Sequence, residues 1–151
     1  MENCGMDLAI ERLRTLRVAD VMTRPVIPVS REWTLERAAA AFGEHKISAA
    51  PVVDGEGACV GILSATDLLR RVAEAESGVG KRPRASDYMS SGVQAVAPDA
   101  PLLLAARMMC LQHLHRLPVL DHENRPVGII SCMDVVAALV NAMDEMKMAE
   151  P

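Results

Sequence analysis

The chain repeats itself. Shifted by 67 residues without a gap, it places Asp20 on Asp87, Met22 on Met89, Leu35 on Leu102 and Pro51-Val52 on Pro118-Val119. Asp54 meets Asp121, and Gly61-Ile62-x-Ser64-x-x-Asp67 meets Gly128-Ile129-x-Ser131-x-x-Asp134. Self-similarity at a fixed period marks one supersecondary unit used twice, each copy burying its apolar face against the other. A site carried by such a unit is expected to come as a pair, related by a pseudo-twofold axis.

At 151 residues the chain is long enough for one domain with a substantial core and short for two independent ones. Half of it is apolar, yet Trp33, Phe42 and Tyr88 are its only aromatic residues, so the core must be aliphatic and a bound base finds few rings to stack on. A net charge of −4 argues against general nucleic-acid binding, which needs a basic surface. No stretch approaches the roughly 20 apolar residues that span a bilayer, and no signal-peptide core opens the chain. Cys4, Cys59, Cys110 and Cys132 have no Cys-x-x-Cys spacing. They read as reduced thiols of a cytoplasmic protein.

Residues 7–17 read as a short amphipathic helix with Ile10 and Leu13 on one side. Each repeat then follows one order. A short apolar stretch (Val26–Val29; Val93–Val96) precedes a helix (34–42; 101–111) and a buried strand (Pro51–Val53; Pro118–Leu120). Turns opening at Asp54 and Asp121 lead to second strands (Cys59–Leu63; Val127–Ile130), and a helix closes each copy from near Ser64 or Ser131. The expected fold is α/β, two tandem β-α-β-β-α repeats. The expected divisions are an N-terminal helical extension (1–17), repeat one (18–76), a linker (77–84), repeat two (85–140), and a helix end with tail (141–151). The linker's Gly-x-Gly-Lys lacks phosphate-loop spacing and a preceding strand, so it reads as a solvated connection.

Ser64-x-x-Asp67 and Ser131-x-x-Asp134 have capping-box spacing where a strand gives way to a helix. Serine would accept from a first-turn amide while aspartate reaches back to the serine amide, which accounts for the motif with no ligand. The same geometry suits a nucleoside phosphate. A helix start offers free N–H groups and partial positive charge to an anion, and a carboxylate is a bidentate acceptor for ribose hydroxyls.

The pattern Val-Met-Thr … Leu-x-x-Ala … Pro-Val-Val-Asp-x-x-Gly-x-x-Val-Gly-Ile-Leu-Ser-x-x-Asp-Leu-Leu, repeated with small changes from about Val18 to Leu139, resembles the cystathionine-β-synthase (CBS) domain. Two copies in tandem resemble a CBS pair, or Bateman module. The resemblance implies clefts between the repeats that bind AMP, ADP, ATP or S-adenosylmethionine. One implied cleft combines Ser64, Thr66 and Asp67 with Ala95, Leu114, His115, Arg116 and Leu117. The other combines Ser131 and Asp134 with Pro28, Ile47, Ser48, Ala49 and Ala50. Met133, Ser48 and Ala49 stand in the second where Thr66, His115 and Arg116 stand in the first. The Asp67 cleft is therefore expected to be the better phosphate site, since arginine grips phosphate in a bidentate, charge-assisted way.

His113, His115 and His122 lack a third spaced ligand and are not expected to form a metal site. No nucleophile–base–acid arrangement is present, so no enzyme activity and no required cofactor are expected. Val135, Leu139, Ala142 and Met146 form one stripe of a helix at about 132–148, read either as packing on its own domain or as dimer contact; a homodimer is expected. The expected function is an adenosyl-ligand sensor acting by ligand-dependent conformational change on an unidentified regulated protein, with no nucleic-acid partner and no membrane insertion. The alternative is a ligand-independent dimerisation scaffold of the same fold.

Overall fold

The computed structural model describes residues 5–75, 82–92 and 94–149. Cys4, Val93 and the first part of the expected linker, residues 77–81, lie outside the described residues. The elements in chain order are α1 (Gly5–Leu13), α2 (Val18–Val21), β1 (Val29–Ser30), α3 (Leu35–His45), β2 (Ala49–Val53), β3 (Cys59–Ser64), α4 (Ala65–Glu74), α5 (Ala85–Tyr88), α6 (Leu102–Leu111), β4 (Arg116–Leu120), β5 (Pro126–Ser131) and α7 (Cys132–Ala149). The mixed α/β class and the order of elements agree with the sequence reading.

Two elements were not expected. Each repeat opens with a four-residue helix, α2 or α5. The Asp20 carboxylate accepts from the Arg17 amide at 2.7 Å, and the Asp87 carboxylate from the Arg84 amide at 2.8 Å. Each aspartate thereby closes the turn that starts its helix, which is why this pair heads the list of residues shared by the two copies. The first helix is also shorter than expected. It ends at Leu13 because Arg17 is extended and bridges Pro101, with Leu102 N donating to Leu16 O at 3.0 Å.

The chain forms two compact units, and they do not follow the repeats. One holds the described residues up to Arg24, Ala95–Val119 and those from Val127 onward; the other holds the described residues of Pro25–Gln94 and Leu120–Pro126. The opening segment of each repeat thus belongs to the unit that contains the other repeat's second strand.

Gly61 and Gly128 make this exchange sterically possible. A Cβ on Gly61 would lie 2.6 Å from Ser90 O and 2.7 Å from Met89 Sδ. On Gly128 it would lie 2.6 Å from Met22 Sδ and 3.1 Å from Thr23 O. With no side chain there, the incoming backbone pairs directly with the strand. Ile62 and Ser90 exchange hydrogen bonds of 3.0 and 2.9 Å, and Thr23 and Ile129 exchange bonds of 2.8 and 3.2 Å.

In the unit around repeat one, β1-β2-β3 form a sheet with β1 parallel and β3 antiparallel to β2. Val29 pairs with Val52, and Ala49 with Ser64. Its core joins β-branched and leucine side chains of the sheet to Leu35, Ala38 and Phe42 of α3. In the other unit β4 and β5 form a two-stranded sheet, and a single parallel bridge, Val96 to Val119, stands where β1 would be.

Both β-turns rest on an aspartate that mimics backbone by accepting from amides further on. Asp54 Oδ1 accepts from Glu56 N at 2.9 Å and Ala58 N at 3.0 Å, and Asp121 Oδ1 from Glu123 N and Arg125 N at 2.9 Å each. The amide of Arg125 foremost, with that of Glu123 and the charges of His122 and Arg125, holds the Asp121 carboxyl below its ordinary value against an opposing desolvation.

The stripe Val135, Leu139, Ala142 and Met146 packs inward, on a core that also includes Ala9 and Leu13 of α1. Of the two sequence readings of that stripe, packing on its own unit is the one realised. The large apolar residues that α7 leaves exposed, among the described ones, are Met133, Val136, Val140 and Met148.

Candidate functional site

Ser64, Thr66 and Asp67 stand at one helix start, and Ser131 and Asp134 at another, one in each unit. Strand β3 ends at Ser64, whose extended backbone (φ −121°, ψ 163°) turns the chain into α4. Ser64 Oγ accepts from Asp67 N at 3.3 Å, while Asp67 Oδ2 accepts from Ser64 N at 2.8 Å and from the Ser64 hydroxyl at 3.0 Å. The capping box read from the spacing is therefore present. It uses one carboxylate oxygen and leaves the other, Oδ1, without a hydrogen bond among the described residues. Among the described residues the cation beside Oδ1 is Arg70, with Nη2 at 4.0 Å. The Asp67 side chain is 13% exposed, so its charge is largely shielded yet still within reach of solvent.

The second helix start repeats this geometry. Asp134 Oδ2 accepts from Ser131 N at 2.8 Å, and Ser131 Oγ accepts from Asp134 N at 3.1 Å. Here Oδ1 has a different neighbour, the Thr23 hydroxyl, which donates to it at 3.4 Å. Thr23 arrives through the exchanged opening segment described above.

Within each unit the helix start meets the segment that precedes the buried proline of the same repeat. Ala65 N donates to Ser48 O at 2.8 Å, and Ala49 and Ala50 pair with Ser64 and Leu63. Correspondingly, Cys132 N donates to His115 O at 2.9 Å. These bonds use the first helical amide in each case and the serine hydroxyl takes the third, so the amides of Thr66 and Met133 are the ones left to meet a ligand.

The remaining expected residues fall as follows. Pro28 is exposed, Ile47 packs on the core of its unit, and Thr66 is exposed one residue before Asp67. In the other unit Ala95 is half-buried beside the Val96 bridge, Leu114 packs on the core, Arg116 opens β4 half-buried, and Leu117 is fully buried. Ser64, Thr66, Asp67, Pro28 and Ile47–Ala50 thus belong to one unit, and Ala95, Leu114–Leu117, Ser131 and Asp134 to the other.

Two neighbours of the carboxylates were missed in the sequence. Thr23 sits in the Val21-Met22-Thr23 run, whose counterpart is Tyr88-Met89-Ser90, and Arg70 follows Asp67 by one helical turn. The spacing of the second is a usable signal, since residues three apart on a helix are neighbours. Among the described residues no group of three His, Cys, Asp or Glu side chains is placed to hold a metal, and no helix is long and apolar enough to cross a membrane.

The CBS domain family model matches residues 18–74 and again 85–141. Among curated relatives, the CBS domain-containing protein YhcV of Bacillus subtilis is 33% identical over 78% of this chain and 81% of its own length. A homoserine O-acetyltransferase of Methanococcoides burtonii is also 33% identical over 78% of this chain, but the match spans only 23% of that enzyme. Among solved structures, the CBS domain pair of protein MJ0100 in complex with 5′-methylthioadenosine and S-adenosyl-L-methionine is 25% identical, with a TM-score of 0.74 over 83% of this chain and 97% of that one. CBSX2 in complex with AMP is 25% identical, with a TM-score of 0.70 over 83% of this chain and 96% of that one. Two family matches at the repeat's own spacing, in a chain with this order of elements, have one meaning: the protein belongs to the CBS-domain family, as a tandem pair.

Proposed function

We infer that the chain is a regulatory module that binds an adenosine-containing ligand, with Asp67 and Asp134 as the ribose-holding carboxylates. The observation that carries this reading is the division of labour within each carboxylate. Oδ2 is spent on the capping box, while Oδ1 has no backbone partner, only a long contact from the Thr23 hydroxyl in the case of Asp134, and can accept from a ribose hydroxyl. The ligand's anionic part is then offered the amides after Ala65 or Cys132 and the positive end of the helix. The AMP complex of CBSX2 and the methylthioadenosine and S-adenosylmethionine complex of the MJ0100 pair support an adenosyl ligand over other nucleosides.

The ligand is AMP, ADP, ATP or S-adenosylmethionine. In the unit of Asp67, Thr66 is a proposed hydroxyl contact and Pro28 and Ile47–Ala50 proposed walls; in the unit of Asp134, His115 and Arg116 are proposed phosphate contacts and Ala95, Leu114 and Leu117 proposed walls. Binding acts by differential affinity for two conformations, since a ligand shifts an equilibrium only to that extent. A separate protein reads the shift. Self-association is supported by exposed apolar side chains on α4 (Leu69, Val72) and on α7 (Val136, Val140). Val136→Glu is then expected to move the mass measured by light scattering from dimer to monomer.

The scaffold reading has one observation in its favour: both capping boxes are complete with no ligand. A thermal-shift and calorimetry panel of AMP, ADP, ATP, S-adenosylmethionine and GMP separates the two. At 100 times its dissociation constant a ligand stabilises the fold by about 2.7 kcal/mol, and Asp67→Asn is expected to abolish most of that gain while leaving the unliganded protein folded. A flat panel with folded protein, free of co-purified nucleotide, supports the scaffold.

A further inference from the structure

The two carboxylates differ in what surrounds their free oxygen, and the geometry points to Arg70 as the residue that makes the Asp67 site select a phosphorylated ligand. The inference rests on the adenosyl-binding reading given above. Arg70 lies one turn beyond Asp67 on α4, with Nη2 4.0 Å from the oxygen that the cap leaves free.

The guanidinium is held from several sides. Nη2 donates to Tyr88 O at 3.1 Å, the group lies 5.0 Å over the Tyr88 ring, and Nε is 3.8 Å from Glu74 Oε1. Glu74 is itself fixed, since the Tyr88 hydroxyl donates to its Oε2 at 2.8 Å. A long side chain that is normally free to rotate is thus pre-oriented beside the carboxylate, and its entropy is spent before any ligand arrives. It remains half exposed, with donors to spare.

An intrahelical ion pair alone does not account for this arrangement. The contact to Asp67 is at the limit of an ion pair, whereas the contacts to Tyr88 and Glu74 lie off the binding carboxylate and act on the arginine's position. The group attached to a ribose whose hydroxyls sit on Asp67 comes within a few bonds of such a guanidinium. A phosphate there accepts two parallel N–H bonds from the arginine fork.

The other helix start lacks this cluster. Ala137, Asn141 and Val21 stand where Arg70, Glu74 and Tyr88 stand, and the neighbour of Asp134 Oδ1 is the uncharged Thr23 hydroxyl.

The test is calorimetric titration of wild type, Arg70→Gln and Arg70→Lys with AMP and with adenosine. Losing a charge-assisted bidentate contact is expected to weaken AMP binding at one site about 10- to 100-fold. Adenosine binding stays unchanged, and Arg70→Lys gives only partial recovery. Equal loss for AMP and adenosine would show that Arg70 merely holds Asp67 or α4 in place, and unchanged AMP binding would show that it plays no part; either overturns the proposal and spares the adenosyl reading. If wild type binds neither compound, or Asp67→Asn leaves both affinities intact, the underlying reading falls and takes the proposal with it.

Discussion

The helix starts at Ser64 and Ser131 share a backbone and differ in charge. Both have the serine–aspartate capping box, the preceding glycine where another segment crosses, and a backbone carbonyl three residues before a buried proline. Around Asp67, however, stands the Arg70–Tyr88–Glu74 cluster, and beside Asp134 a single threonine hydroxyl. The comparison separates two kinds of repeated residue. Where geometry leaves one solution, the two copies are identical. Where a ligand would be read, they diverge, as two sites with different tasks require.

The largest expected effect tests the shared backbone. Gly61→Ala forces a Cβ against a backbone oxygen, whereas at Gly128 the nearest atom is the movable Sδ of Met22. Urea denaturation is expected to show a loss of about 2–4 kcal/mol for Gly61→Ala and about half that for Gly128→Ala. Equal losses would mean that the two crossings are packed alike. Next come the caps: Ser64→Ala and Ser131→Ala each should cost about 0.5–2 kcal/mol. Because the cap geometries match, a difference beyond that range would expose an unequal role for the two hydroxyls.

The smallest effect concerns the hairpin turns. Gly57 has φ +85°, and its counterpart Asn124 has φ +66°. Gly57→Ala is expected to destabilise by about 1 kcal/mol, since L-residues pay for the left-handed region, and Asn124→Gly to be neutral or stabilising by a few tenths. Chemical denaturation midpoints of the two variants moving in the same direction would contradict the equivalence of these turns.

Much of the fold was legible because the repeat reports every element twice. The capping boxes could be read from spacing alone, since Ser-x-x-Asp between a strand and a helix has few other uses. The helices α2 and α5 were not legible: four residues hold no apolar period, and their signal was the single aspartate that closes each turn. The composite units were equally invisible. Identity between copies says which residues correspond, but not onto which copy a segment packs, and only the crossings at Gly61 and Gly128 reveal that. The α7 stripe was correctly seen as apolar and left open in direction, because periodicity marks a buried face without naming what buries it. Within the candidate site Asp67 and Asp134 stood out by repetition, whereas Arg70 did not repeat and so escaped notice.

The most direct test of the central claim is the amide NMR spectrum of the protein titrated with AMP and, separately, with S-adenosylmethionine. The account predicts that the largest shifts fall on Thr66 and Asp67 and on Met133 and Asp134, with AMP acting first at the former pair. Saturating either compound without movement of these amides, or with the largest shifts elsewhere, would contradict it.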